Sequence, residues 1–277
     1  MTTQIEPGCL DKLIEKNEVK ILDGSWALDG TDMRALYVTD HIASAQFFDL
    51  DAISDHNTPL PHMAPLPAQF AAAVGQMGIS EKDHVVIYDR QGLFSAARVW
   101  WTFKLMGHEK VQVLRGGLPA WKATGLPISD QVPTPVPTIY TPSYKREKVI
   151  NINNLQATLK ESGSLILDAR PKARFEGTAP EPRAGLRSGH MPGSQSLPFG
   201  ELIRDGALKP RDELEAIFRT YGIEEAKTIV TSCGSGVTAA VISMALYETG
   251  HTSTRLYDGS WAEWGQDSLD TPVIIGS

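Results

Sequence analysis

Cysteine is almost absent from this chain, which has only Cys9 and Cys233 among its 277 residues. Two cysteines so far apart do not make the disulfide framework that stabilises small secreted domains. The sequence also lacks the C-x-x-C and H-x-x-x-H spacings typical of metal ligands, and its seven histidines are scattered. We therefore expect no metal and no cofactor, which leaves the chemistry of a single thiol.

An excess of positive charge and a long apolar run are also missing. The net charge is -7, whereas a surface that binds nucleic acid needs concentrated positive charge. The first seven residues, Met-Thr-Thr-Gln-Ile-Glu-Pro, are polar and begin neither a secretory signal nor a membrane span. We expect a cytoplasmic protein that binds neither nucleic acid nor membranes.

The length suits two domains of ordinary size. A proline-rich stretch interrupts the hydrophobic periodicity between residues 126 and 148, and such a stretch favours an extended, semi-rigid linker. We therefore predict an N-terminal domain at 1–130, a linker at 131–148 and a C-terminal domain at 149–277. The prolines of this stretch are Pro127, Pro133, Pro135, Pro137 and Pro142.

The two sides of the linker resemble each other. Residues 19–23 and 164–168 each read as a buried strand that ends in Asp, and residues 85–88 and 228–231 read as a second pair of strands. Amphipathic helices alternate with these strands in the same order in both halves. The pattern predicts a duplicated α/β fold, with a mostly parallel central sheet in each half and helices on both faces.

The most informative segment is 231–239, Thr-Ser-Cys-Gly-Ser-Gly-Val-Thr-Ala. It follows a strand, and the apolar spacing after it predicts a helix that begins near Val237. Gly234 and Gly236 allow the tight turn that brings main-chain amides toward one point. These amides and the helix N-terminus favour negative charge, so Cys233 has the setting of a reactive thiolate, whereas Cys9 has no such setting.

Two other enzyme classes use similar loops. A cysteine phosphatase needs arginine six positions after the nucleophile, but position 239 is alanine. A serine hydrolase needs the motif G-x-S-x-G, but Ser235 has Cys233 and Val237 at the two glycine positions. Each class is excluded because the sequence lacks a residue that the class requires.

The 233–238 loop and the duplicated halves resemble the tandem sulfurtransferases of the rhodanese superfamily. The resemblance implies an inactive first domain, in which Asp89 replaces the cysteine, and a catalytic second domain. It also implies that Cys233 takes sulfur from 3-mercaptopyruvate as a persulfide, releases pyruvate, and passes the sulfur to a thiol, thioredoxin or cyanide. Thiosulfate is the alternative donor, although the thiosulfate enzymes typically carry basic residues where this loop has Gly234 and Ser235. A non-catalytic signalling module is a third hypothesis, disfavoured by the intact cysteine.

A keto-acid donor needs a partner for its carboxylate, and arginine suits that role. The segment 170–190 contains five basic residues and two glutamates, which makes it a basic island in an acidic chain. By the family resemblance we assign Arg174 and Arg183 to the donor, and we leave Lys172 and Arg187 at the surface. We expect Gly234, Gly236, Val237 and Thr238 to complete the substrate-binding site.

The resemblance further implies a proton relay of Asp51, His62 and Ser235. Histidine is the natural carrier near neutral pH, and the relay could protonate the departing pyruvate enolate. We expect five of the tryptophans to pack in the domain cores rather than to stack on a ligand. These are Trp100, Trp101, Trp121, Trp261 and Trp264.

Overall fold

The computed structural model describes residues 2–276, which divide into two compact units. The first unit contains the described residues up to Asp55 together with Ala64–Lys145 and Arg204–Leu208. The second contains His56–Met63, Arg146–Ile203 and the described residues from Lys209 onward. Each unit thus includes a short segment from the other half of the chain. The bounds 1–130, 131–148 and 149–277 stay a prediction.

The first unit is built on a parallel sheet of five strands in the order β1-β6-β5-β2-β4. Its strands are β1 (Gln4–Ile5), β2 (Lys20–Asp23), β3 (His41–Ile42), β4 (Gln46–Phe47), β5 (Val85–Tyr88), β6 (Val111–Leu114) and β7 (Ile128–Ser129), of which β3 and β7 form a separate antiparallel pair. Its helices are α1 (Pro7–Glu15), α2 (Met33–Thr39), α3 (Pro67–Gln76), α4 (Ala96–Leu105) and α5 (Gly117–Ala123).

The second half of the chain repeats this order. Its strands are β8 (Val149–Ile150), β9 (Ser164–Asp168), β10 (Ser194–Ser196), β11 (Ile203–Arg204), β12 (Ala207–Leu208), β13 (Thr228–Ser232) and β14 (Thr254–Tyr257). Its helices are α6 (Ile152–Thr158), α7 (Lys172–Phe175), α8 (Arg211–Thr220), α9 (Ala239–Glu248) and α10 (Ser260–Trp264). Strands β11 and β12 form a hairpin whose turn residues, Asp205 and Gly206, have φ of 52° and 70°.

The sheet of the second unit has the order β10-β9-β13-β14-β8 and is also parallel. Read from the other edge, it places the equivalent strands in the same order as the sheet of the first unit. The predicted duplicated α/β fold is therefore confirmed. In register, Asp168 pairs with Ser232, so Ala169 and Cys233 follow at the same edge of the sheet, where open α/β sheets place ligands.

Each sheet packs its own apolar core. In the second unit, Val230 and Ile166 of the central strands lie in one cluster with Trp261 and Trp264. In the first unit, Val86 and Ile21 lie in a cluster with Trp121. All five tryptophans that we expected in the cores are at most 3% exposed, which confirms that prediction.

Two glycines end the helices that follow β5 and β13. Gly107 and Gly250 have φ of 78° and 99°, in the left-handed region that glycine adopts without steric cost. The next amide in each case bonds back into the helix, His108 to Phe103 O at 2.9 Å and His251 to Leu246 O at 2.8 Å. These bonds satisfy carbonyls that the helix end leaves without a partner.

Most of the proline-rich stretch is irregular and belongs to the first unit. Beyond β7 it contains neither helix nor strand until a 3-10 turn at Arg146–Lys148. Main-chain bonds hold it against the first unit, with Thr138 N–H donating to Gly75 O at 2.9 Å and Ser143 N–H to Met106 O at 2.8 Å. Among residues 2–276, no helix is long and apolar enough to cross a membrane.

Candidate active site

Cys233 is the first residue after β13 and lies in a loop that leads to α9. The helix begins at Ala239, two residues later than the predicted start near Val237. Val237 and Thr238 form a turn before it, and Gly236 has φ of 78°, outside the helical region. Thr238 occupies the N-cap position of α9 but makes no side-chain capping bond.

The thiol itself is enclosed. Cys233 is 2% exposed, whereas Cys9 on α1 is exposed. Burial alone is also the usual state of a small apolar cysteine. The side chains around the loop are what distinguish Cys233 from such a residue.

Helix α10 holds the first part of the loop by its main chain. Trp261 N–H donates to Cys233 O at 2.9 Å, and Ala262 N–H donates to Gly234 O at 2.8 Å. The carbonyls of Cys233 and Gly234 are therefore both bonded to α10. Across residues 2–276, the amides of Gly234, Ser235, Val237 and Thr238 donate no hydrogen bond to any other described group.

The equivalent loop of the first unit shows what such amides can do. Asp89, which stands where the second loop has Cys233, is 1% exposed and accepts amide bonds at both carboxylate oxygens. Gln91 N–H donates at 3.0 Å to Oδ1, while Phe94 and Ala96 N–H donate at 2.7 and 2.9 Å to Oδ2. Burial raises the pKa of Asp89, and these amide bonds act against that rise. The fold thus holds an anion with main-chain amides at this place in the sheet.

Two arginines lie against the Cys233 loop. Arg183 Nη2 donates to Ser235 Oγ at 3.3 Å. Arg174 approaches the main chain so closely that a Cβ placed on Gly234 would lie 3.1 Å from its Nη2. The structure therefore brings Arg174, Arg183, Gly234 and Ser235 together around the residue that carries the thiol.

A buried ion network orients Arg174, and we did not predict this network from the sequence. Glu181, whose side chain is 1% exposed, accepts from Arg174 Nη2 at 2.5 Å and from Arg170 Nη1 at 2.9 Å. Arg170 also pairs with Asp168 at 2.7 Å and stacks over Trp261 at 4.1 Å. The Asp-x-Arg spacing at the end of β9 was the available signal. Buried ion pairs of this kind fix the orientation of their side chains, because losing one partner leaves the other charge buried and unpaired.

The basic island is accordingly only in part an anion site. Arg187, which we placed at the surface, instead donates to Thr271 O at 2.8 Å and to Trp264 O at 2.9 Å. That assignment is wrong, because the C-terminal segment packs its carbonyls over this guanidinium. Lys172 is 70% exposed, as expected of a surface residue.

The three residues of the predicted relay are placed as follows. His62 belongs to the second unit, is 6% exposed and has φ of 59°. Ser235 is in the same unit and is 5% exposed. Asp51 belongs to the first unit, where its Oδ2 accepts the indole N–H of Trp26 at 3.1 Å. The relay itself stays a prediction.

The second unit has a groove of about 490 Å³ whose lining includes Arg183, which donates to Ser235. Ala262, whose amide is bonded to the Cys233 loop, also lines this groove. A cleft of this size accommodates a small molecule. It is lined by Pro59, Leu60, Pro61, Arg183, Ala184, Gly185, Leu186, Ala262, Gln266, Asp267 and Ser268.

Comparison with known proteins agrees with this geometry. The family model for the rhodanese-like domain matches residues 6–124 and 151–267, which together are most of the chain. The chain belongs to the rhodanese family. The resemblance seen in the Cys233 loop is thereby confirmed, and each half contains one rhodanese-like domain.

The relatives match along nearly the whole chain. The 3-mercaptopyruvate sulfurtransferase of Escherichia coli K12 is 41% identical over 94% of this chain and 93% of its own length. The Arabidopsis thaliana thiosulfate/3-mercaptopyruvate sulfurtransferase 1, mitochondrial, is 40% identical over 94% of this chain and 75% of its own. The crystal structure of Escherichia coli SseA, a 3-mercaptopyruvate sulfotransferase with the rhodanese fold, superposes with a TM-score of 0.86 and 38% identity, covering 95% of this chain and 100% of that one.

Proposed function

We propose that this protein is a sulfurtransferase that takes sulfur from 3-mercaptopyruvate, carries it as a persulfide on Cys233 and delivers it to a thiol acceptor. The class of enzyme, a sulfurtransferase, is that of its relatives at about 40% identity. The donor, the intermediate and the acceptor are our proposals. The observation that carries them is the Cys233 loop, with its available amides and two adjacent arginines.

In the first half-reaction the thiolate of Cys233 attacks the donor sulfur. A sulfur–sulfur bond forms, the carbon–sulfur bond breaks, and its electron pair leaves with the pyruvate enolate. The proton that the donor sulfur carried is transferred to the enolate carbon, which gives pyruvate and a persulfide anion. In the second half-reaction an acceptor thiolate takes the outer sulfur and restores the Cys233 thiolate. Dividing one transfer in this way predicts ping-pong kinetics.

The main-chain amides are suited to stabilise the persulfide anion. Those of Gly234, Ser235, Val237 and Thr238 donate to no other described group. In the first unit, amides of the equivalent loop already hold the carboxylate of Asp89. We infer that the second loop, including Gly236, provides the same kind of site for sulfur.

The two arginines are suited to bind the keto acid. We assign the donor's carboxylate and carbonyl to Arg183 and Arg174, because guanidinium groups present paired donors to such oxygens. Arg174 still has donor groups that its bonds to Glu181 do not use. We assign the relay that protonates the enolate to Ser235, His62 and Asp51. Its support is that Ser235 lies at the loop, bonded to Arg183.

The identity of residue 234 bears on the choice of donor. A Cβ at this position would lie 3.1 Å from Arg174 Nη2, closer than nine in ten Cβ contacts in proteins. A basic side chain there, as in the thiosulfate enzymes, would displace or repel Arg174. The bare glycine thus favours 3-mercaptopyruvate, while thiosulfate remains the second candidate because the Arabidopsis relative is named for both donors.

The comparison of donors tests this proposal. We expect kcat/KM for 3-mercaptopyruvate to exceed that for thiosulfate by at least about ten-fold, since only the keto acid uses both arginines fully. Pyruvate release should equal sulfur transferred to dithiothreitol, thioredoxin or cyanide. A clear preference for thiosulfate would overturn the donor assignment. The cytoplasmic location and the thiol, thioredoxin or cyanide acceptors stay predictions.

A further inference from the structure

Ser260 has a main-chain conformation that serine rarely adopts. It is the first residue of α10, is fully buried, and has φ of 50°. Left-handed conformations carry a steric cost for every residue with a Cβ and are normally given to glycine. Strain of this kind inside a well-packed region indicates that the side chain has a role there.

The first unit uses glycine at the equivalent place. Gly117 is the first residue of α5 and has φ of 56°. The next amide in each unit bonds to the residue in the nucleophile position, Leu118 N–H to Asp89 O and Trp261 N–H to Cys233 O, both at 2.9 Å. The two turns therefore match, and they differ in that the second unit has a hydroxyl.

The hydroxyl of Ser260 contacts the main chain of Cys233. Its Oγ donates to Tyr257 O at 2.8 Å and accepts the N–H of Cys233 at 3.2 Å. Because its own proton is directed to Tyr257, a lone pair of the oxygen faces the cysteine amide. Together with the two bonds from α10 to Cys233 O and Gly234 O, it holds both polar groups of the Cys233 main chain.

We propose that Ser260 is a positioning residue of the sulfur-transfer reaction, which fixes the main chain at Cys233 and thereby directs its thiol toward the donor. This inference rests on the proposed function. Ser260 Oγ accepts a hydrogen bond from the amide of Cys233. Within residues 2–276 it forms no hydrogen bond with Arg174 or Arg183. It is expected to affect the transfer step and not the binding of the donor.

Two substitutions separate the hydroxyl from the strained backbone. Ser260→Ala removes the hydroxyl and keeps the left-handed strain, while Ser260→Gly removes both, so the glycine variant should have the higher Tm. Glycine already forms the matching turn at Gly117, which makes correct folding of Ser260→Gly the expected result. A buried serine elsewhere in the unit provides the control: Ser194→Ala loses the bond from Ser194 Oγ to Met191 O at 2.7 Å.

The rate of pyruvate release in a single turnover is the decisive readout. We expect this rate to fall about ten-fold in both Ser260 variants, because one hydrogen bond of ordinary strength is lost. The KM for the donor should be unchanged. The pH midpoint for alkylation of Cys233 by iodoacetamide should shift equally in both variants. Ser194→Ala should retain the rate of the unmodified protein.

Two results would overturn this inference. One is a Ser260→Gly variant with the full single-turnover rate, and the other is a rate that follows Tm across the variants, as a purely structural role predicts. A wild-type protein that forms no persulfide would instead refute the proposed function, so the two failures are distinguishable.

Discussion

At the scale of single residues, the two halves of the chain put different groups into the same loop. Asp89 and Cys233 follow equivalent strands, and in the first loop the amides that could hold an anion already hold the Asp89 carboxylate. The thiol loop lacks such an internal anion. This difference supports our proposal that the chemistry belongs to the second half, which the sequence also favours because only that half has a cysteine in such a loop.

The side chains around Cys233 could be predicted from sequence only in part. Arg174 and Arg183 were predicted to bind the donor at Cys233 because they match positions in the family that the sequence resembles. Arg170 and Glu181 were missed, since their pairing depends on how α7 and the following turn fold back toward β9. Arg187 was misassigned for the same reason, because its acceptors Trp264 and Thr271 are distant in sequence.

The network around Arg174 gives a prediction for Glu181→Gln. The amide cannot pair with two guanidinium groups as the carboxylate does, so Arg174 should lose its fixed orientation. We expect the KM for 3-mercaptopyruvate to rise about ten-fold with a smaller change in kcat, as measured by steady-state pyruvate release.

The control for this variant is Glu176→Gln. Glu176 pairs only loosely with Lys172, at 3.6 Å, on the exposed side of the same segment. Surface pairs of this kind contribute about 0–1 kcal/mol, so its KM and Tm should match those of the unmodified protein. An unchanged KM in Glu181→Gln would show that Arg174 does not depend on this carboxylate.

At the scale of elements, apolar runs bounded by turn residues predicted the strands well. The prediction for β9 matched Ser164–Asp168 in full, because such a run needs burial on both faces of a parallel sheet. The start of α9 was less predictable. Apolar spacing does not reveal that Val237 and Thr238 form a turn before the helix begins at Ala239.

The close packing around a second glycine, Gly92, predicts that adding a side chain there destabilises the protein. Gly92 has φ of 102°, and a Cβ there would lie 2.6 Å from the Cα of Gly206 at the tip of the β11–β12 hairpin. Gly92→Ala should therefore destabilise the protein by more than about 1 kcal/mol in urea unfolding. Gly8→Ala on α1 is the matched control, because nothing lies within 4 Å of its added methyl group and alanine favours helix. Equal stability of the two variants would contradict the crowding at Gly92.

At the scale of the whole molecule, the sequence predicted the duplication but not the exchange of segments. The landmarks of each half are local patterns, and these can be seen in sequence. Residues 204–208 belong to the first unit although they lie in the second half, and residues 56–63 belong to the second unit although they lie in the first. Such exchange depends on tertiary packing, for which local patterns give no signal.

The exchange predicts cooperative unfolding. The first unit cannot lose its structure without releasing residues 204–208, which continue directly into strands and helices of the second. We expect a single calorimetric transition, with calorimetric and van't Hoff enthalpies that agree. Two separate transitions would show that each unit is stable without the segment it takes from the other half.

Sulfur transfer by this protein requires that Cys233 accept sulfur, although the residue is only 2% exposed in this structure. The most direct test is the intact mass of the purified protein after incubation with 3-mercaptopyruvate and removal of the donor. We predict a gain of one sulfur atom that cyanide removes, its absence in Cys233→Ser, and its presence in Cys9→Ser. An unchanged mass in the unmodified protein, or an equal gain in Cys233→Ser, would contradict the persulfide mechanism.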